Sequence, residues 1–250
     1  MHGSFSSGFK PAYQAYRLLW TGLDWLYPPK CFGCDMIGTR WCQSCQDRLA
    51  RVSLPICPRC GQPVKSANLC ASCRITNPAY DCMRSLAVFD DFLRVAFHRL
   101  KYRGDISLGE SLSRPLVNYY KNLEWKAELI APIPVSKERL ARRGYNQAAL
   151  IALPFALATG IPYRPGTLIR SRETPSQVGL SAAERRKNLH QAFSAARKSV
   201  EGRRILLIDD VTTTGATLEE ASRTLVEAGA AAVYCLTVAR ALRATPGREK

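Results

Sequence analysis

The segment Ile205-Leu-Leu-Ile-Asp-Asp-Val-Thr-Thr-Thr-Gly-Ala-Thr217 reads as a buried strand that delivers two carboxylates into a loop of small, hydroxylated residues. Ile205 to Ile208 has the length and uniform apolarity of a central parallel strand. Beyond the loop, Leu218, Ala221, Leu225 and Ala228 recur at helical spacing until Gly229 supplies a C-cap. Ligands of open α/β sheets sit outside the carboxyl ends of the strands, and a helix N-terminus offers backbone N–H groups to an anion. Thr213, Thr214, Gly215, Ala216 and Thr217 are thus expected to cradle a phosphate monoester, with Asp209 and Asp210 accepting hydrogen bonds from the vicinal hydroxyls of an attached ribose.

This run resembles the phosphoribosyl-pyrophosphate (PRPP) signature of type I phosphoribosyltransferases: an apolar stretch, two acidic residues and a loop rich in Thr and Gly. Two other readings compete with it. An apolar strand ending in Asp-Asp also suits the magnesium strand of a P-loop NTPase, but Gly-x-x-x-x-Gly-Lys-[Ser/Thr] occurs nowhere in the chain. The acids could also merely cap a helix and the threonines merely fill a turn, a reading that suits one Asp better than the whole run.

With 250 residues, 46% of them apolar, the chain can bury one medium core and a small one. No stretch approaches the roughly 20 apolar residues of a membrane helix; Ala148 to Leu157 comes nearest and Pro154 interrupts it. The N-terminus has the aromatics of an amphipathic helix but lacks the parts of a signal peptide, so a cytoplasmic protein without a membrane span is expected. The net charge of +16 is concentrated in two places. Residues 1–78 hold 9 basic and 3 acidic residues, and residues 135–190 hold 10 and 3. Such stretches suit nucleic acid or a polyphosphate, or simply a solvated basic face.

Eight of the ten cysteines form four CxxC knuckles, Cys31/Cys34, Cys42/Cys45, Cys57/Cys60 and Cys70/Cys73. In a reduced compartment this pattern points to zinc rather than to disulfides. Two knuckles close a tetrahedral four-thiolate site, so four knuckles predict two structural zinc ions. The simplest pairing takes neighbours, Cys31, Cys34, Cys42 and Cys45 on one ion and Cys57, Cys60, Cys70 and Cys73 on the other; an interleaved cross-brace has the same spacing. Cys82 and Cys235 lack a partner knuckle and suit packed thiols.

Along the chain, residues 1–29 read as a leader whose helical apolar face includes Tyr16, Leu19, Leu23 and Leu26. Residues 30–78 read as a double zinc-ribbon module, residues 79–243 as an α/β domain and residues 244–250 as a tail, with fraying expected from Arg240 onward. In the α/β domain, strands are expected at Arg84–Phe89, Leu129–Pro134, near Thr167–Arg170, in the signature run and at Ala232–Ala239. Helices are expected at Phe92–Tyr102, Ser107–Lys121 and Asn146–Ala158. Alternation of helices with apolar strands indicates a mostly parallel sheet. The three histidines, His2, His98 and His190, suggest no site.

Three further blocks sharpen the resemblance: Leu100-Lys-Tyr-Arg-Gly-Asp105; Pro132-Ile-Pro134 followed by Arg139, Arg142, Arg143, Gly144, Tyr145, Asn146 and Gln147; and Arg170-Ser-Arg-Glu-Thr-Pro-Ser-Gln177 running on to Asn188. With the knuckles in front, the chain resembles the ComF/GntX family, including ComFC-like proteins, over roughly Pro28 to Ala241. Tyr145 stands where many relatives have Phe, and the leader is longer than usual. The resemblance implies a type I phosphoribosyltransferase fold behind a double zinc ribbon. It also implies that Asp209 and Asp210 meet the ribose hydroxyls, that residues 213–217 hold the 5′-phosphate, that the loop after Pro134 meets pyrophosphate, and that Arg170 to Asn188 form a hood. Pyrophosphate is strongly anionic, so Arg139, Arg142, Arg143, Arg170 or Arg172, together with Mg²⁺, would stabilise the charge that develops as it leaves; each arginine could equally belong to a solvated face. Lys101 reaches the phosphates or is simply exposed.

Two classes of function follow. The first is an enzyme that binds PRPP with Mg²⁺ and transfers its phosphoribosyl group to a nitrogen nucleophile, linked to DNA uptake or nucleotide metabolism. A glutamine-dependent version is not expected, because His2 and not a nucleophilic cysteine follows Met1. The second is non-catalytic: a PRPP sensor, or a competence factor that handles single-stranded DNA and contacts proteins of the uptake machinery. Aromatic stacking platforms for a strand are not evident in the sequence.

Overall fold

A computed structural model describes residues 10–171 and 191–242. Its centre is a four-stranded, all-parallel sheet of β1 (Cys82–Val88), β2 (Leu129–Pro132), β5 (Arg204–Thr212) and β6 (Ala232–Arg240), in the spatial order β1-β6-β5-β2. The signature strand β5 is therefore internal and buried on both faces, which is why it reads as an unbroken apolar run rather than an alternating one. Successive residues still point to opposite faces: Leu206 and Ile208 enter one core, Ile205 and Leu207 the other.

The first core is covered by α4 (Asp91–Tyr102), α5 (Leu108–Tyr120) and α7 (Gln147–Thr159), the second by α9 (Ala216–Glu227), the helix that follows the phosphate-sized loop. Two short helices, α6 (Lys137–Arg143) and α8 (Arg197–Val200), lie in connections. Helices α5 and α7 cross closely because Gly109 has no side chain; a Cβ there would stand 2.5 Å from the Leu150 carbonyl oxygen. The helix capping is local and legible: Asp90 accepts from the Leu93 amide, Ser136 from Arg139 and Asn146 from Ala148.

Three expectations change. The strand near Thr167–Arg170 forms, as β3 (Leu168–Arg170), but it pairs antiparallel with β4 (Phe193–Ala195) in a separate two-stranded sheet instead of joining the main one. Three residues bounded by a turn can pair with whichever strand the connection brings back, and here the connection returns to β3. Arg240, expected to fray, is the last residue of β6, is 5% exposed and donates to the Cys60 carbonyl oxygen. In the leader, helix α1 (Pro11–Leu26) packs through Tyr13 and Tyr16, while Leu19, Leu23 and Leu26 face outward. Directional contacts set its rotation: the Tyr13 hydroxyl donates to Glu110 at 2.7 Å, Asp24 pairs with Arg40, and the Arg40 guanidinium lies 5.0 Å over the Trp20 ring. Apolar periodicity alone does not register these polar contacts.

The cysteine-rich segment joins the sheet rather than standing apart from it. Its short helices are α2 (Gln43–Asp47) and α3 (Ala71–Thr76). Its backbone covers the outer edge of β1: the Val88 amide donates to Ala50 and the Met83 amide to Arg59, both at 2.7 Å. Cys31, Cys42, Cys45, Phe32 and Trp41 belong to the first core, and Cys57, Cys60, Cys73 and Tyr80 to the second. No helix among the described residues is long and apolar enough to cross a membrane.

Candidate functional site

The parallel strands all end on one side, and β5 carries Asp209 and Asp210 to that side before the chain turns through Thr213, Thr214 and Gly215 into α9. Gly215 has φ +81°, a left-handed conformation that suits glycine, and occupies the N-cap position without a side chain that could fill the helix end. The first turn of α9 therefore carries no side-chain cap from its N-cap residue, and the Ala216 amide donates to Thr214 Oγ1 at 3.4 Å.

Around this loop is a cavity of about 660 Å³, within the range that suits small-molecule ligands. Asp209, residues 213–217 and Lys101 line it together with Ser136, Arg139, Arg142, Arg143 and Gln147. The structure thus brings the loop, one acid and three of the expected arginines into one place. Arg170 is not brought there: it lies on β3 with its guanidinium 5.6 Å over the Phe193 ring. Arg172 and most of the expected hood lie outside the described residues.

The two acids differ in environment. Asp210 is 4% exposed and forms an ion pair with Lys101. Burial, the largest single effect, would raise its carboxyl, but the charge and hydrogen bond of Lys101 together with hydrogen bonds from Asp209 and the Val211 amide hold it below the usual carboxylate range. Asp209 is pushed well above that range, by burial first and then by the charge on Asp210, while its Oδ1 accepts from the Asp210 amide at 2.9 Å. The charge on Asp210 is thus favoured by its lysine, while that on Asp209 is disfavoured and would gain from a cation or a hydroxyl donor.

The Arg-Gly-Tyr-Asn-Gln block does two jobs. Arg143 and Gln147 line the cavity and are hydrogen-bonded to each other. Asn146 caps α7 and donates to the Ile133 carbonyl oxygen at 2.9 Å, and the Tyr145 hydroxyl donates to the Leu100 carbonyl oxygen. These bonds tie the end of β2, α6 and α7 to the end of α4. Sequence reasoning gave Lys101 too little weight and read His98 as ordinary, yet both line the cavity with Phe89, Phe97 and Tyr102. The available signal was the helical spacing of His98, Lys101 and Tyr102 at the end of a helix beginning beside a strand end.

The cysteines gather as neighbours. Cys31, Cys34, Cys42 and Cys45 form one cluster and Cys57, Cys60, Cys70 and Cys73 a second, with all Sγ atoms of a cluster within 4.8 Å of one another. Separations of 3.6 Å for Cys34–Cys42 and 3.7 Å for Cys31–Cys42 and Cys60–Cys70 match the edge of a tetrahedron, about 3.8 Å, around a zinc bound at about 2.3 Å. Backbone amides point at sulfur, from Cys42 to Cys31 at 3.5 Å and from Cys70 to Cys57 at 3.4 Å. Burial raises the Cys31 thiol, but amides of Cys42, Gly33 and Cys34 outweigh it and bring it down to about 6. The donor set and spacing fit two structural zinc ions.

Fold and site together define a phosphoribosyltransferase-domain protein with a double zinc ribbon in front. Residues 22–74 match the double zinc ribbon domain family and residues 119–250 the phosphoribosyl transferase domain family. The chain is 33% identical to "Competence protein F" of Haemophilus influenzae over 80% of its own length and 90% of the relative's. It is 32% identical to "Competence protein ComFC" of Bacillus subtilis, covering 80% and 83%, and 31% identical to "DNA utilization protein YhgH" of Escherichia coli strain K12, covering 86% and 98%. The chain belongs to the ComF/GntX family.

Proposed function

We propose that the cavity binds PRPP with Mg²⁺ and passes its phosphoribosyl group to a nitrogen nucleophile, in a process linked to DNA uptake or utilization. The observation that carries this reading is the convergence of Asp209, the loop of residues 213–217 and Arg139, Arg142 and Arg143 on one cavity at the carboxyl end of β5. The loop and the start of α9 take the 5′-phosphate and Asp209 takes the ribose hydroxyls, while Asp210, paired with Lys101 and outside the cavity lining, holds the end of α4 beside them. The arginines of α6 lie where pyrophosphate would need countercharge. The anomeric carbon–oxygen bond breaks with its electron pair leaving on pyrophosphate, while the acceptor nitrogen forms the new bond and its N–H proton passes to the departing pyrophosphate. Mg²⁺ would add countercharge to the same oxygens.

A second reading is favoured by the relatives' names, which speak of competence and DNA utilization. In it the same cavity holds PRPP, a nucleotide or a strand end without turnover, and the basic lining meets single-stranded DNA or the uptake machinery. Release of pyrophosphate from PRPP and Mg²⁺, measured across a panel of nucleobases, separates the two. Release with at least one base, abolished by Asp209→Ala, supports transfer; no release with any base, under conditions where PRPP binds, contradicts it and leaves the non-catalytic reading.

A further inference from the structure

One wall of the cavity is not explained by phosphate chemistry. Helix α4 presents His98 and Tyr102 one turn apart, with ring centroids 5.2 Å from each other, and the guanidinium of Arg143 lies 5.6 Å over the Tyr102 ring. All three line the cavity whose other side is the loop of residues 213–217. Tyr102 remains 64% exposed beside that cation. An anion needs the arginines and the loop; it gains nothing from two aromatic rings. A nucleobase does, because each base has a π-face that stacks on aromatic side chains and on arginine planes.

This shelf is held in place from several sides. The residue before Tyr102, Lys101, is anchored by its ion pair to Asp210, and its ammonium also lies 5.6 Å over the Phe97 ring. The hydroxyl of Tyr145 holds the Leu100 carbonyl oxygen, and Phe97 is buried beneath with Phe89 stacked at 6.0 Å. The end of α4 is thus fixed to the same strand end that carries the acids, which keeps ring and phosphate loop in register.

We infer that the cavity takes a nucleotide unit, with its phosphate on the loop of residues 213–217 and its base on the shelf formed by Tyr102, His98 and Arg143. The inference rests on the phosphate reading of the loop and adds the class of what is recognised beside it. A free nucleoside 5′-phosphate and the 5′-phosphorylated end of a single strand share this chemistry.

Binding of ribose 5-phosphate, uridine 5′-phosphate and adenosine 5′-phosphate to the full-length protein tests it, at one fixed salt concentration, in wild type, Tyr102→Ala and Tyr102→Phe. The nucleotides are expected to bind wild type about tenfold more tightly than ribose 5-phosphate. Tyr102→Ala is expected to erase that margin while leaving ribose 5-phosphate binding unchanged, and Tyr102→Phe to keep it. Equal binding of nucleotides and ribose 5-phosphate by wild type, or a margin that survives Tyr102→Ala, overturns the shelf and leaves the phosphate site standing. Failure of all three ligands to bind overturns both. A 5′-phosphorylated oligothymidylate run beside thymidine 5′-phosphate separates the two sources: a Tyr102-dependent gain over the free nucleotide assigns the shelf to a strand end, and a Tyr102-dependent margin without that gain assigns it to a free nucleotide.

Discussion

Asp209 is the residue at which stability and function pull apart. Its carboxyl is buried beside an ionised neighbour, and both effects disfavour its charge. A carboxyl raised in the folded state costs nothing below the unfolded value, about 3.9, and costs increasingly as pH rises above it, because the unfolded chain ionises first. Asp209→Asn keeps an oxygen to accept from the Asp210 amide and removes that cost. The variant is expected to melt about 2–4 °C above wild type at pH 7.5, with the difference shrinking toward pH 4, while losing PRPP binding. Equal melting temperatures at pH 7.5 would show that the acid is not under this stress. The position of the acidic pair at the end of a buried strand was legible, because an unbroken apolar run leads straight into it, and Asp209 does line the cavity. That Lys101 favours the charge on Asp210 while Asp209 is left disfavoured was not, because the ion pair spans over 100 residues and leaves no periodic trace.

Among the elements, the long helices of the α/β domain were legible to within a residue or two, α4 and α7 through local side-chain caps and α5 through its apolar periodicity, and β5 and β6 were legible as strands buried on both faces, although β5 runs on to Thr212, four residues past its apolar run. Short or polar-directed elements were not: β3 chose an antiparallel partner outside the main sheet, and α1 turned its tyrosines inward under the pull of Glu110 and Arg40. The zinc ribbons were readable as metal sites from spacing alone, while their pairing needed the fold. Elements as short as α2 and α3, five and six residues, cannot hold the knuckles without metal. Elemental analysis of purified protein is expected to give two zinc per chain, and removal of the metal by a strong chelator to lower the melting temperature of the whole protein; one zinc or none would contradict the neighbour pairing.

At the scale of the whole molecule, the zinc clusters are part of both cores of the sheet. The first cluster packs on the face covered by α4, α5 and α7, and the second on the face covered by α9. The second also reaches the back of the loop of residues 213–217. Residues Cys60, Cys73, Tyr80 and Met83 share a cavity of about 310 Å³ with Thr213, Thr214 and Gly215, and Arg240 at the end of β6 holds the Cys60 carbonyl oxygen. The sequence shows two modules in a row; only packing shows that one supports the other's loop. The central claim remains that this loop and the acids before it hold PRPP. Calorimetry with PRPP and Mg²⁺, comparing the zinc-loaded wild type with the double variant Asp209→Ala, Asp210→Ala, tests it most directly: saturable heat of binding in wild type and none in a folded double variant is the expected result, and absence of binding in wild type, or equal binding in both, would contradict the account.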